Sequence, residues 1–239
     1  MNKIKLLCFP YAGGDSRAYT AWKPYLSDKI NLHTIELPGR GVRHEEPLAA
    51  TIDQMILNSL TSIRSVINCG PYMVFGHSMG STLVYALILQ IINHGWPKPS
   101  YAIFSGGIPP YANIVASPVS HAPDKEFIEH ILSLDGTPRE VFDNKDLCNL
   151  FLPILRADYL ALEDYNPSQP PIPFPCNISV FYGRDDATTV KGIRSWDMIA
   201  GREITYKEFD GGHFFINKSA SKVVEEINRL CRVTEEGAL

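Results

Sequence analysis

The stretch from Tyr72 to Asn93 constrains this chain more than any other. Tyr72–Phe75 reads as a buried strand, Gly76-His77-Ser78-Met79-Gly80 follows at once, and Met79–Asn93 carries a strongly apolar helical pattern. Strand, tight turn and helix in immediate succession are the setting in which G-x-S-x-G forms a nucleophile elbow. The glycines have a physical reason. The turn is so sharp that side chains two residues before and after Ser78 would strike neighbouring backbone, and Ser78 itself must take a strained conformation. The hydroxyl is thereby exposed at the sheet edge, at the positive end of the helix, where developing negative charge is favoured.

The same alternation runs through the rest of the chain. Ile4–Phe9, Leu32–Leu37, Tyr101–Phe104, Ile178–Tyr182 and Ile204–Phe209 read as strands. Thr51–Asn68, with Thr51 as N-cap, and Ser219–Val233 read as helices. Strand followed by helix, repeated, implies an α/β fold with a mainly parallel sheet covered on both faces. Residues 1–239 are expected to form a single domain. Between the fourth and fifth strands the rhythm breaks. Asp124–Leu134 and Asn144–Asp164 look helical there, and Pro167–Pro175 is a proline-rich return. An insertion at about residues 110–170 is expected to form a helical lid at the carboxyl ends of the strands. Extra cover for the sheet is the alternative.

A serine hydroxyl needs a base. His213, in Asp210-Gly211-Gly212-His213-Phe214-Phe215 after the last strand, lies on a loop at the carboxyl edge, near the elbow, and its two glycines allow close approach. His77 adjoins the serine, but its side chain should diverge from Ser78, so it reads as a packing residue. His33, His44, His94, His121 and His130 lie on helix faces or loops. The orienting acid belongs between Ser and His in chain order. Tyr182-Gly183-Arg184-Asp185-Asp186 supplies it after the fifth strand. Asp186 is the first choice and Asp185 the alternative; Asp210 reads better as a turn former. Two backbone N–H donors should face the tetrahedral intermediate. Met79 follows the nucleophile, and Ala12 sits in the glycine-bearing loop Pro10-Tyr11-Ala12-Gly13-Gly14 after the first strand.

Composition excludes other classes. A hydrophobic fraction of 45% with 20% charged residues argues against disorder. With 22 Lys plus Arg against 26 Asp plus Glu, the chain lacks the basic footprint of a nucleic-acid binder. No apolar run reaches the roughly 20 residues of a membrane span, and no signal peptide is expected at the N-terminus. Cys8, Cys69, Cys148, Cys176 and Cys231 are scattered without a C-x-x-C pair. They read as reduced, mostly buried thiols of a cytoplasmic protein, with no zinc-ligand spacing.

Together the motifs resemble those of the type II, editing thioesterases that accompany non-ribosomal peptide and polyketide synthases, within the α/β-hydrolase superfamily. The resemblance rests on Phe9-Pro10-Tyr11-Ala12-Gly13-Gly14, Leu37-Pro38-Gly39-Arg40-Gly41, Phe75–Gly80, Leu150–Tyr159 and Gly211–Phe215, and covers roughly residues 5 to 232. Ser105-Gly106-Gly107 departs from it, where such proteins often carry a basic residue. The resemblance implies an α/β-hydrolase fold and hydrolysis of acyl thioesters from phosphopantetheinyl carrier domains. It implies an acyl-serine intermediate, no metal or organic cofactor, and transient carrier partners. The lid would line the acyl pocket, with Leu152, Leu155 and Tyr159 as an apolar wall and Tyr11 as a further substrate contact. Helical core packing is the competing role for the first three. A monomer is expected. A general serine esterase, a chain-terminating cyclase and a non-catalytic hydrolase-fold binding module are the competing readings.

Overall fold

The structure is a computed structural model and describes residues 3–112, 118–167 and 171–236. Along the chain run β1 (Ile4–Phe9), β2 (Ile30–Thr34), α1 (Ile52–Leu57), α2 (Leu60–Ile67), β3 (Tyr72–His77), α3 (Met79–His94) and β4 (Tyr101–Ser105). There follow α4 (Asp124–Ser133), α5 (Glu140–Asp143), α6 (Lys145–Glu163), β5 (Asn177–Gly183), α7 (Ala187–Gly192), β6 (Ile204–Phe209), α8 (Phe215–Lys218) and α9 (Ala220–Glu236). The strands form one parallel sheet in the order β2-β1-β3-β4-β5-β6.

Successive strand residues face opposite sides of the sheet, and here both sides are apolar. Leu7, Phe9, Tyr72 and Val74 enter the core shared with α1, α2 and α3. Ile4, Leu6, Cys8, Met73 and Phe75 enter the opposite core, against Val223, Val224, Ile227 and Leu230 of α9. The strand order reverses between β1 and β3. At such a switch point the loops leaving two neighbouring strands diverge and open a crevice. The loop after β1 and the turn after β3 flank it.

Two expectations shift. The second strand runs over Ile30–Thr34 rather than 32–37, because Ile4 pairs with Ile30 and sets the register. Ile35 and Leu37 are buried all the same, carrying the chain under the core as a loop. The single helix expected over 51–68 is two. Thr51 does cap α1, accepting from the Gln54 N–H. The break falls at Asn58 and Ser59, where the Asn58 N–H still donates to the Gln54 carbonyl but the Ser59 N–H tightens onto the Ile56 carbonyl three residues back. The five cysteines form no disulfide among the described residues, and Cys8, Cys176 and Cys231 are buried, Cys148 half-buried and Cys69 exposed.

The insertion holds α4, α5 and α6. Phe127, Ile131 and Leu155 form a small core of their own. Residues 113–117 of the insertion and 168–170 of the proline-rich return lie outside the described residues. No helix among the described residues is long and apolar enough to cross a membrane.

Candidate active site

Ser78 joins β3 to α3 with φ 55° and ψ −119°, a conformation rarely populated by a residue with a side chain. A Cβ on Gly76 would collide with the Gly80 carbonyl, and one on Gly80 with the carbonyl of Phe9 at the end of β1. The spacing of the two glycines thus follows from backbone meeting backbone. The Ser78 N–H donates to the Ser105 carbonyl at 2.8 Å, which anchors the turn to β4.

His213 and Asp186 complete a hydrogen-bonded chain. Ser78 Oγ lies 2.9 Å from His213 Nε2, and His213 Nδ1 lies 2.7 Å from Asp186 Oδ2. A carboxylate at Nδ1 can only accept, so the proton sits on Nδ1 and Nε2 is free to accept from the serine. Asp186 is buried at the head of α7. Its Oδ1 accepts the Thr189 N–H at 3.2 Å, and its Oδ2 the Thr189 hydroxyl at 2.7 Å. Burial alone would raise its pKa. The hydrogen bond and charge of His213, with the two bonds from Thr189, outweigh that and hold the carboxyl below the usual range. Asp185 is exposed. Asp210 pairs on the surface with Arg184 at 3.2 Å and Lys222 at 3.3 Å. The close approach of the acid and histidine loops is permitted by Gly183, whose Cβ would strike the Gly212 carbonyl, and not by Gly212, whose Cβ would meet open space.

His77 does diverge from the serine. It is fully buried, and its Nδ1 lies 2.9 Å from the Ser105 hydroxyl. Its ring centroid is 5.2 Å from that of His213. Burial, and then the neighbouring His213, push its pKa well below the ordinary histidine value, so it packs as a neutral ring.

The loop after β1 turns tightly. Gly14 N–H donates to the Tyr11 carbonyl at 2.9 Å, and Gly13 has φ +76°. These features make Tyr11–Gly14 a type II turn, with Ala12 and Gly13 at its centre. Ala12 and Ser78 line the same small cavity. Met79 begins α3, so its N–H has no intrahelical acceptor. Both residues whose N–H groups are expected to receive the oxyanion are therefore close to the serine, Met79 next to it in the chain and Ala12 on the same cavity.

The family described as "Thioesterase domain" matches residues 4–231. The chain belongs to this thioesterase family. It is 30% identical to the gramicidin S biosynthesis protein GrsT of Aneurinibacillus migulanus, over 93% of this chain and 87% of that one. Among solved structures it matches ClbQ from the colibactin NRPS/PKS pathway with a TM-score of 0.91 and 32% identity, covering 98% of this chain and 99% of that one. The type II thioesterase BorB from the borrelidin biosynthetic cluster matches with a TM-score of 0.84 and 27% identity, over 96% and 93%.

Two neighbouring cavities share Ala12, Thr137 and Leu155 in this thioesterase, and the smaller one reaches Ser78. The inner one, about 10 Å³, is lined by Ala12, Ser78, Ile131, Leu134, Thr137, Leu155, Tyr159 and Phe214. The outer one, about 320 Å³, includes Tyr11, Gly13, Arg17, Val141, Phe151 and Leu155 in its wall. Leu155 and Tyr159 thus line the inner cavity and Tyr11 the outer one. Leu152 lines neither. It packs with Phe127, Ile131 and Leu155 in the insertion's own small core, the competing role expected for it. Sequence reasoning missed Ile131 and Phe214 on the cavity and Thr189 behind the acid. Thr189 was readable as the third residue after an Asp that opens a helix, the spacing of an N-cap bond. Among the described residues no group of three His, Cys, Asp or Glu is placed to hold a metal ion.

Proposed function

We infer that this thioesterase hydrolyses acyl thioesters from the phosphopantetheine arm of carrier domains, an editing or off-loading activity in polyketide or non-ribosomal peptide synthesis. The observation that carries this reading is the Ser78–His213–Asp186 chain, standing at a strained elbow in a chain that the thioesterase family matches from residue 4 to 231. ClbQ comes from an NRPS/PKS pathway, GrsT from gramicidin S biosynthesis, and BorB is a type II thioesterase of the borrelidin biosynthetic cluster, which supports carrier domains as partners.

In this reading His213 Nε2 takes the Ser78 proton as Oγ attacks the thioester carbonyl. The oxygen becomes anionic and is received by the N–H groups of Ala12 and Met79. Collapse breaks the C–S bond. The carrier thiolate leaves with the proton from His213, and an acyl-Ser78 ester remains. Water then gives its proton to Nε2 and attacks the ester. Collapse frees the carboxylic acid, and Ser78 recovers its proton. Asp186 stays ionised and stabilises the imidazolium in both halves. The cycle calls on no metal or organic cofactor, because the pantetheine arm arrives with the carrier. The protein works as a cytoplasmic monomer that meets its carrier transiently.

The inner cavity at Ser78 has room for about one water. An acyl group enters only if its walls move, so α4–α6 act as a lid in this account, with Leu155 and Tyr159 on the acyl group and Tyr11 nearer the arm. A comparison of kcat/KM for an acetylated carrier domain and for p-nitrophenyl acetate tests the reading. Preference for the carrier-bound thioester supports it. Efficient cleavage of the free ester with an untouched carrier panel makes the protein a general serine esterase.

A further inference from the structure

Two of the sequence motifs, Leu37–Gly41 and Leu150–Tyr159, contribute residues that the chemistry above does not use, and they meet inside the protein. The Arg40 guanidinium grips the Asp158 carboxylate at two points, Nη1 to Oδ2 at 2.6 Å and Nη2 to Oδ1 at 2.7 Å. The Arg40 side chain is 3% exposed and that of Asp158 0%. The same Oδ2 accepts the Gly13 N–H at 2.8 Å, and Arg40 Nη1 reaches the Gly14 carbonyl at 3.4 Å. One buried ion pair thus ties together the loop after β1, the loop after β2 and the insertion helix α6.

Its position on the loop matters. Gly13 follows Ala12 at the centre of the type II turn. The Ala12 N–H belongs to the peptide before the central one, and the two peptides meet at the Ala12 Cα. A charge-assisted bond on the Gly13 N–H, 2.8 Å from Asp158 Oδ2, therefore pins one side of Ala12 and fixes where the turn, and the Ala12 N–H with it, sits. A Cβ on Gly13 would also crowd Leu155 Cδ2 at 2.7 Å, so α6 presses on the same turn from the side. Isolated buried ion pairs are weak stabilisers, since apolar residues of similar size often serve a core equally well. A pair that holds a backbone donor does something apolar residues cannot.

We propose that Asp158, oriented and neutralised by Arg40, is a positioning residue that holds the Gly13 N–H and so keeps the Ala12 N–H aimed at the developing oxyanion. It acts through the loop and does not touch the substrate. Because Asp158 shares α6 with Leu155 and Tyr159, one helix sets both the acyl wall and the oxyanion donor. The proposal rests on the Ser78 chemistry above, but not on the identity of the acyl carrier.

The test removes the ion pair without leaving a buried charge alone. Arg40→Met with Asp158→Leu deletes both charges and the acceptor. Arg40→Met with Asp158→Asn deletes both charges and keeps an acceptor oxygen. p-Nitrophenyl acetate is the substrate, because its hydrolysis passes through the same oxyanion whichever carrier the enzyme serves. A trifluoromethyl ketone reports oxyanion binding. The leucine pair should keep a Tm near wild type, lose about 10²-fold in kcat with KM within about twofold, and lose ketone affinity by a similar factor. The asparagine pair should recover most of that loss. A folded leucine pair with wild-type kcat overturns the proposal, as does a fall in kcat with unchanged ketone affinity. If the leucine pair fails to fold, Arg40→Lys decides, since it keeps the charge but not the two-point grip. A lower kcat at unchanged KM supports positioning, and wild-type values for both overturn it. Wild-type enzyme that cleaves the ester yet ignores every carrier refutes the carrier reading alone.

Discussion

His213 Nδ1 lies 2.7 Å from Asp186 Oδ2, while Asp185, one residue earlier, is exposed to solvent. Two adjacent carboxylates therefore have unequal roles. Asp186→Asn removes the charge that stabilises the imidazolium and is expected to lower kcat by about 10³–10⁴-fold. Asp185→Asn should stay within about twofold. Steady-state rates of the two variants on one acyl thioester check this, and the reverse order transfers the role to Asp185.

The 2.9 Å contact between Ser78 and His213 makes the two residues one unit. Ser78→Ala and His213→Ala should each lose most of the activity, and the double variant little more than either alone, because groups that act together are not additive. Losses that multiply in a double-mutant cycle contradict a shared step.

The Ala12 side chain is expected to matter little and its N–H a great deal. Ala12 holds the first central position of a type II turn, where proline is favoured. Ala12→Pro should keep the fold and delete the donor, lowering kcat by about 10²–10³-fold, whereas Ala12→Gly changes it little. Circular dichroism and turnover, measured on the same samples, separate loss of the donor from loss of the turn.

His77 should make the protein acid-sensitive. Its pKa in the fold lies well below the unfolded value of about 6.5, so the unfolded state binds more protons between the two. Stability then falls as pH drops below about 6.5, by up to about 1.4 kcal/mol per pH unit for one group. His33 and His130, also shifted down by burial, act in the same direction. Asp186 adds to the loss only at lower pH, as its depressed carboxyl is protonated. Urea unfolding of wild type and His77→Asn between pH 5 and 7 tests this. The variant should show a slope shallower by close to one proton.

Ile131 and Leu134 bring α4 and its following turn to the wall of the inner cavity. Ile131→Ala should shift the ratio of kcat/KM for hexanoyl over acetyl thioester upward by about tenfold or more, in line with the value of a few methylenes in an apolar pocket. An unchanged ratio would place the acyl group elsewhere.

Much of this was legible in the sequence, for reasons that differ by residue. The elbow could be read because strand, glycines, serine and helix are contiguous. His213 and Asp186 could be read because each follows a strand of a parallel sheet, and such loops gather at one edge. The second strand was placed late because Ile35 and Leu37 are as buried as strand residues while lying outside the ladder. Leu152, Leu155 and Tyr159 carry two readings, acyl wall and core packing, because apolar residues at helical spacing do not show which of them stop at a core and which also reach a cavity. All three pack in the insertion's core, and Leu155 and Tyr159 reach the cavity as well. Arg40 and Asp158 stood in motifs without a role, because their contact spans 118 positions in the chain. A signal was nonetheless present. Asp158 falls in line with Ile154, Leu155 and Ala161 on the buried stripe of α6, where an acid calls for a partner.

The most direct measurement is the intact mass of an acetylated carrier domain incubated with wild-type enzyme or with Ser78→Ala. The account predicts loss of the acetyl mass with wild type and its retention with the variant. Loss of the acetyl group with both proteins, or its retention with both across a panel of acyl lengths, contradicts a carrier-directed thioesterase acting through Ser78.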